Sequence, residues 1–280
     1  MNINGKTKVV GIIGSPIEHT LSPRMHNAAF SKLGLDWLYV PFHVSSDGLS
    51  KAIMGMRAFG LRGLNVTVPH KESVMEFLDE FDADAKKIGA VNTIANKNNK
   101  LIGYNTDCYG FVTSSEKEGS FKAKGKKAVL IGAGGAAKAI AVGLAQQGVQ
   151  KITIFDIVKF KAEILSEKIK KEFGCAVNYF EIGETTSLFW VIKEADILIN
   201  ATPVGMKPAD KLVVPPGSLH QGLFVYDVIY KDTPLIKLAK KKKLKHVNGF
   251  GMLLYQAAKS LEIWTGKKAP VDVMKKQLIV

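Results

Sequence analysis

Four short clusters gather side chains able to bind a ligand and move protons. They are Thr20-Leu21-Ser22-Pro23, Asn65-Val66-Thr67-Val68-Pro69-His70-Lys71, Gly89-Ala90-Val91-Asn92-Thr93 and Gly103-Tyr104-Asn105-Thr106-Asp107. Small hydroxyls, amides, one lysine and one aspartate suit a polyhydroxylated ligand on an uncharged ring. Ligands of open α/β sheets lie beyond the carboxyl ends of strands, where these clusters fall. A lysine ammonium can stabilise negative charge growing on a carbonyl oxygen and hand it a proton, and an aspartate within reach orients the ammonium. Composition alone does not single out Lys71. Of 39 basic residues only Arg24, Arg57 and Arg62 are arginines, so Lys71 is one of 36 lysines, at a helix start that disfavours cations. His19, His26, His43, His70, His220 and His246 are scattered, and with Cys108 and Cys175 they form no metal-ligand spacing; no metal is expected.

A second feature is Gly132-Ala133-Gly134-Gly135-Ala136-Ala137, a G-x-G-x-x-A run after an apolar stretch and before a helical one. The first glycine permits a tight turn, the second admits a pyrophosphate to the backbone, and Ala137 lets helix and strand approach. The helix N-terminus adds free N–H groups and partial positive charge. Such a turn binds a dinucleotide or merely links strand to helix. Asp156 lies 19 residues beyond Ala137. Either it accepts hydrogen bonds from the adenosine ribose, which suits NAD and repels a 2′-phosphate, or it is a turn aspartate that happens to follow a strand.

The elements that must position these groups alternate. Residues 8–14 read as a strand and 22–33 as a helix, with Ser22 as N-cap and Pro23 at the first helical position. Strand 37–44, helix 49–59 closed by Gly60, and strand 63–69 follow. Residues 71–81 read as helix, and 90–96 with 100–104 as a hairpin around Asn98-Asn99. This is a βαβ-type unit. Residues 115–127 read as a helix and connecting loop. Then come strand 127–131, the glycine-rich turn, helix 136–147 ended by Gly148, strand 151–155, helix 161–173, and short strands at 177–180, 197–200, 224–228 and 245–247. The pattern is a parallel doubly wound sheet, so the fold class is α/β. Gly249 to Gly251 lead into a helix over 252–266, and a last helical piece starts at Pro270.

Composition narrows the function classes. The chain has 280 residues, 46% hydrophobic and 23% charged, which excludes a disordered or low-complexity protein. No run of eighteen apolar residues occurs without a charge, and Met1-Asn2-Ile3-Asn4-Gly5-Lys6 lacks a leader pattern, so no membrane partner and a cytoplasmic location are expected. The net charge of +14 invites a nucleic-acid partner, but no arginine follows residue 62 to fork onto phosphates or base edges. The dense run Lys240 to Lys243 with Lys245 sits near a helix end, where cations suit the macrodipole. Solvated faces and small anionic ligands are expected instead of nucleic acid.

The motifs Gly14-x-Pro16, His19 to Asn27, Asn65-Val66-Thr67-x-Pro69-x-Lys71, Gly89 to Thr93, Asn105-Thr106-Asp107, Gly132 to Ala136, Asn200-Ala201-Thr202-Pro203-x-Gly205-Met206 and Gly249-x-Gly251-Met252-Leu253-x-x-Gln256 occur in order. Together they resemble the shikimate dehydrogenase family, which includes shikimate/quinate dehydrogenases. The resemblance implies a catalytic, substrate-binding domain over 1–112, a Rossmann-like dinucleotide-binding domain over 113–248 with a cleft between the two, and C-terminal helices over 249–280 returning to the catalytic domain. It implies an oxidoreductase that reduces 3-dehydroshikimate to shikimate, in aromatic amino-acid (chorismate) biosynthesis, as a monomer or homodimer. Lys71 and Asp107 would be the catalytic pair. Thr20, Ser22, Thr67, Asn92 and Gln256 would hold the substrate, with Tyr230 beside them. Gly132, Ala133, Gly134, Gly135 and Ala136 would hold the pyrophosphate, Thr202 belongs to the same half, and Val228 and Gly249 would line the nicotinamide pocket.

Three positions depart from the family pattern. Thr20 stands where serine is commoner, which opens the question of shikimate against quinate. The span from Tyr230 to Thr233-Pro234 is two residues short. Asp156-Ile157-Val158 replaces the Asn-Arg-Thr of NADP-specific members. The cofactor is therefore NADP by family default, whereas Asp156 and the missing arginine argue for NAD. The alternatives are an NAD-preferring quinate/shikimate dehydrogenase and a non-enzymatic dinucleotide sensor or nucleic-acid binder on the same fold.

Overall fold

The computed structural model describes residues 3–278; Met1 and Asn2, part of the N-terminal run read for a leader, lie outside the described residues. Two compact units form, one from the residues up to Tyr109 together with those from Leu254 on, the other from Gly110–Leu253.

The first unit holds β1 (Lys8–Gly14), α1 (Ser22–Lys32), β2 (Trp37–His43), α2 (Leu49–Ala58), β3 (Gly63–Val66), β4 (Glu80–Phe81), α3 (Ala83–Ile88), β5 (Thr93–Lys97) and β6 (Lys100–Tyr104). Its sheet runs β2-β1-β3-β5-β6-β4. β1 pairs in parallel with β2 and β3, whereas β5 is antiparallel to both β3 and β6. The β5–β6 hairpin turns at Asn98 and Asn99, both left-handed (φ 53° and 66°), which is the geometry a two-residue type I′ loop demands. Ile13, Leu64, Val66, Val74, Val91 and Ile94 build one core layer of this unit with Leu49, Ile53 and Met56 of α2.

Two expectations fail here for physical reasons, and one helix goes unread. Residues 71–81 carry apolar groups at helical spacing but form only a 3₁₀ turn, Ser73–Phe77, before the chain extends into β4. Asp79 draws it out of helical geometry by accepting from Leu101 N (2.6 Å) and Arg57 Nη2 (2.8 Å). Ser22 does not cap α1: Leu21 occupies that place with no side-chain cap, and Ser22 is itself helical and buried. α3, capped by Asp82 accepting from Ala85 N (2.7 Å) and closed by left-handed Gly89, has no counterpart in the sequence reading.

The second unit runs through α4 (Asp107–Lys117), β7 (Lys127–Ile131), α5 (Gly135–Gln146), β8 (Lys151–Asp156), α6 (Lys159–Phe173), β9 (Ala176–Glu181), α7 (Thr185–Lys193), β10 (Ile197–Asn200), β11 (Phe224–Asp227), α8 (Pro234–Lys241) and β12 (His246–Val247). α4 begins at Asp107, eight residues before the expected helix, so the division between units falls within it. The sheet is wholly parallel in the order β12-β11-β10-β7-β8-β9. That is the doubly wound order, with its reversal at β7 beside β10. Burial explains the near-continuous apolar strands: Val129, Ile131, Leu198 and Val225 face one core with Leu188, Ile192 and Leu235.

The chain then enters α9 (Phe250–Thr265) and α10 (Val271–Lys276). Residues from Leu254 on belong to the first unit, where α10 lies against α1. Trp264 Nε1 donates to Ile94 O (2.9 Å). Gly63 admits this indole, since a Cβ there would stand 2.1 Å from Nε1. No helix among the described residues is long and apolar enough to cross a membrane.

Candidate active site

Lys71 follows the turn after β3, closed by His70 N donating to Thr67 O (3.0 Å). Its own carbonyl accepts from Val91 N (2.7 Å), which ties the lysine backbone to the segment carrying Asn92. Its Nζ donates to Asp107 Oδ2 at 2.5 Å, with side chains 17% and 7% exposed. Asp107 opens α4, where the helix dipole favours a carboxylate. Asn105 prepares that opening: its Oδ1 accepts from Asp107 N (3.0 Å) and its Nδ2 donates to Ala90 O (2.9 Å). Asn92 Nδ2 donates to Asp107 Oδ1 (2.8 Å). Both carboxylate oxygens are thus engaged, one by an ammonium and one by an amide, and the lysine keeps further N–H donors for a ligand. The neighbouring Cys108 thiol is pushed up to about 12 by burial and by the carboxylates of Asp84, Asp107 and Asp82, so it stays protonated.

The other residues expected to bind substrate are distributed as follows. Thr20 Oγ1 accepts from Ser22 N (3.3 Å). Ser22 hydrogen-bonds Tyr39, whose hydroxyl donates to Asn65 Oδ1 (2.8 Å). Thr67 lies against Gly14, where a Cβ would stand 2.4 Å from its Cγ2. Gln256 lies on the part of α9 that belongs to the first unit. Tyr230 belongs to the second unit, 36% exposed and tilted against Phe250 with ring centroids 5.9 Å apart. Asn65, Thr93 and Thr106 belong to the ligand-binding clusters without an individual role, whereas Ser260 lies outside them; all four are buried around Asn92. A polar residue every second position in an apolar strand, as in Leu64-Asn65-Val66-Thr67, was the available signal.

In the second unit the glycine-rich turn closes β7. Gly132 adopts φ +106°, and a Cβ there would meet Ala201 O at 3.0 Å and Thr202 Cγ2 at 3.1 Å, so Gly132 and Thr202 are neighbours. Gly134 is extended with open space where a Cβ would be, and α5 begins after it without a side-chain cap. Its first-turn N–H groups therefore have no partner within the helix. Asp156 ends β8 and braces the turn: Oδ2 accepts from Ala133 N (2.8 Å) and Oδ1 from Val158 N (2.8 Å). Ile157 beside it is 75% exposed. Val228 and Gly249 also meet, since a Cβ on Gly249 would stand 1.9 Å from Val228 O. Asp227, passed over in the sequence as part of a strand, is fully buried. It accepts from Asn200 Nδ2 (3.1 Å), Ile229 N (3.1 Å) and Thr233 Oγ1 (2.7 Å), and burial pushes its carboxyl above the usual range. It joins the loops after β10 and β11. An open glycine cradle before an uncapped helix fits a pyrophosphate, and the neighbouring loops supply walls for the rest of a dinucleotide.

A doubly wound parallel sheet with this cradle at its switch point, and a second α/β unit presenting a lysine–aspartate pair, define a dinucleotide-linked oxidoreductase. Family models match over residues 12–94 (shikimate dehydrogenase substrate binding domain), 114–208 (shikimate / quinate 5-dehydrogenase) and 249–279 (shikimate 5'-dehydrogenase C-terminal domain). Shikimate dehydrogenase (NADP(+)) of Desulforamulus reducens is 46% identical, covering 99% of this chain and 96% of its own. Shikimate 5-dehydrogenase from Listeria monocytogenes, solved in complex with shikimate and NAD, superposes with a TM-score of 0.92 at 41% identity, covering 99% and 98%. Quinate dehydrogenase from Corynebacterium glutamicum, solved with NAD, gives 0.89 at 30% identity, covering 97% and 98%. The chain belongs to the shikimate dehydrogenase family.

Proposed function

We propose that the chain catalyses the reversible reduction of 3-dehydroshikimate to shikimate with a nicotinamide dinucleotide. The observation that carries this reading is the Lys71–Asp107 contact of 2.5 Å, supported from behind by Asn92. The bound cofactor supplies the hydride. Lys71 Nζ meets the negative charge developing on the carbonyl oxygen and gives it a proton; in the oxidative direction it takes that proton from the hydroxyl. Asp107 holds the ammonium and accepts from the reacting hydroxyl. Thr20, Ser22, Thr67, Asn92 and Gln256 hold the substrate carboxylate and remaining hydroxyls, and Tyr230 is the second unit's own candidate for a substrate contact. The first unit is accordingly the substrate-binding domain and the second the dinucleotide-binding domain. Gly132 to Ala136 receive the pyrophosphate, with Thr202 beside Gly132, and Val228 and Gly249 flank the nicotinamide.

For the cofactor, we infer that NAD is used at least as well as NADP. Asp156 places a carboxylate at the end of β8, fixed by two main-chain N–H groups, and the exposed Ile157 occupies the place of an arginine. The test is steady-state kinetics with shikimate and quinate, each with NAD and NADP. Shikimate turnover supports the assignment. Turnover of quinate alone makes the chain a quinate dehydrogenase, in which the Thr20 methyl reshapes the carboxylate pocket. Turnover of neither acid overturns the reading.

A further inference from the structure

We propose that the paired hydroxyls of Thr93 and Ser260 are positioning groups for this reaction, coupling the Gln256 turn of α9 to Asn92 and, through Asn92, to the Lys71–Asp107 pair. The inference rests on the dehydrogenase reading above. Thr93 Oγ1 and Ser260 Oγ lie 2.7 Å apart, and both side chains are fully buried. Asn65 Nδ2 donates to each at 3.0 Å. Ser260 Oγ has a single proton, which it shares between Thr93 Oγ1 and Gln256 O, the latter one helical turn earlier at 3.0 Å. On the other side, Thr93 Oγ1 donates to Asn92 Oδ1 (3.1 Å), which also accepts from Thr106 N (2.8 Å), while Thr106 Oγ1 sits between the two amide atoms, 3.0 Å from Nδ2 and 3.2 Å from Oδ1.

These contacts decide which way the Asn92 amide faces. With donors converging on Oδ1, Nδ2 must point at Asp107 Oδ1; the flipped amide would set oxygen against carboxylate and leave buried donors facing donors. Asp107 in turn fixes the Lys71 ammonium. A serine inside a buried helix gains nothing for the helix: alanine has the higher propensity, and back-bonding to the i−4 carbonyl is slightly unfavourable. Its hydroxyl is offset by what it joins. Catalytic geometry is sensitive on the scale of an ångström, so a network that sets an amide and a substrate-bearing helical turn together acts on turnover.

Thr93→Val removes the hydroxyl at constant shape, Thr93→Ser keeps it, and Ser260→Ala favours the helix. The full-length variants are assayed for shikimate oxidation, at a temperature well below each melting point. Thr93→Val and Ser260→Ala should each lower kcat roughly fivefold to tenfold, the worth of one hydrogen bond, with the KM for the dinucleotide unchanged. Thr93→Ser should restore kcat to within about twofold of the parent, and the double variant should lose less than the product of the single losses. A kcat within about twofold in both hydroxyl-deleted variants overturns the proposal. So does a Thr93→Ser enzyme as slow as Thr93→Val, or losses that multiply. If Thr93→Val fails to fold, Ser260→Ala alone decides by the same kcat criterion. A parent enzyme inactive on shikimate fails the function reading instead, which separates the two.

Discussion

Lys71 and Asp107 illustrate how a residue type acquires chemistry only from its partners. The lysine is unremarkable in a chain with 36 of them, yet it is held 2.5 Å from a largely buried carboxylate whose other oxygen is taken by Asn92. Lys71→Ala should therefore lower kcat by about 10²–10⁴, with a far smaller change in substrate KM, because a positioned proton donor acts on the transition state more than on binding. Turnover within a factor of about three of the parent would remove Lys71 from this role. Asp156 is a second case. A 2′-phosphate brings roughly two negative charges to a strand end that already holds one. An arginine fork answers it with contacts worth about 1.5–3 kcal/mol, or roughly ten- to a hundredfold in affinity. Asp156→Asn combined with Ile157→Arg should shift kcat/KM toward NADP by at least about tenfold. A strong NADP preference in the parent would instead assign the phosphate to Lys159, Lys161 or the main chain after Asp156.

Among the elements, the two cofactor-side glycines make opposite demands. A Cβ on Gly249 would stand 1.9 Å from the backbone oxygen of Val228, so Gly249→Ala must push two loops apart. It should destabilise the chain by about 1–3 kcal/mol, read as an earlier urea midpoint. Gly134 is extended and faces open space. Gly134→Ala should hold stability within about 0.5 kcal/mol while raising the KM for the dinucleotide, because the new methyl fills the cradle. Sequence periodicity exposed some elements and hid others for identifiable reasons. The run from Lys127 to Phe155 is legible because a strand buried on both faces, a glycine-rich turn and an apolar helix each impose a local pattern. The Asn98-Asn99 hairpin is legible from its turn chemistry. Residues 71–81 mislead because their helical spacing is overridden by Asp79 and by pairing with β6. The Lys71–Asp107 pair is visible in its motifs, whereas the role of Ser260 is hidden: its hydrogen bond with Asn65 spans 195 residues.

On the scale of the whole molecule, His26 couples stability to pH. Its ring is fully buried, stacks on Tyr39 at 4.3 Å and has no hydrogen-bond partner on either nitrogen, and burial lowers its pKa from 6.5 to about 3. Between those values the unfolded chain binds a proton that the folded chain refuses, so this contribution is intact above pH 6.5 and is lost progressively as the pH falls toward 3. His26→Leu should flatten that part of the acid slope when urea midpoints are measured across it, whatever it does to stability at neutral pH; an unchanged slope would assign the acid sensitivity to other groups. The discontinuity of the first unit has a consequence in time. The second unit is one unbroken run, Gly110–Leu253, whereas the first needs Ser260 to meet Asn65 and Trp264 to meet Ile94, 195 and 170 residues apart. During synthesis at about 5–20 residues per second, the domain that leaves the ribosome first is the last to be finished. A nascent chain ending at Leu253 and held clear of the ribosome tunnel by an unstructured C-terminal linker should accordingly shield the glycine-rich unit from protease while the segment around Lys71 is still cut.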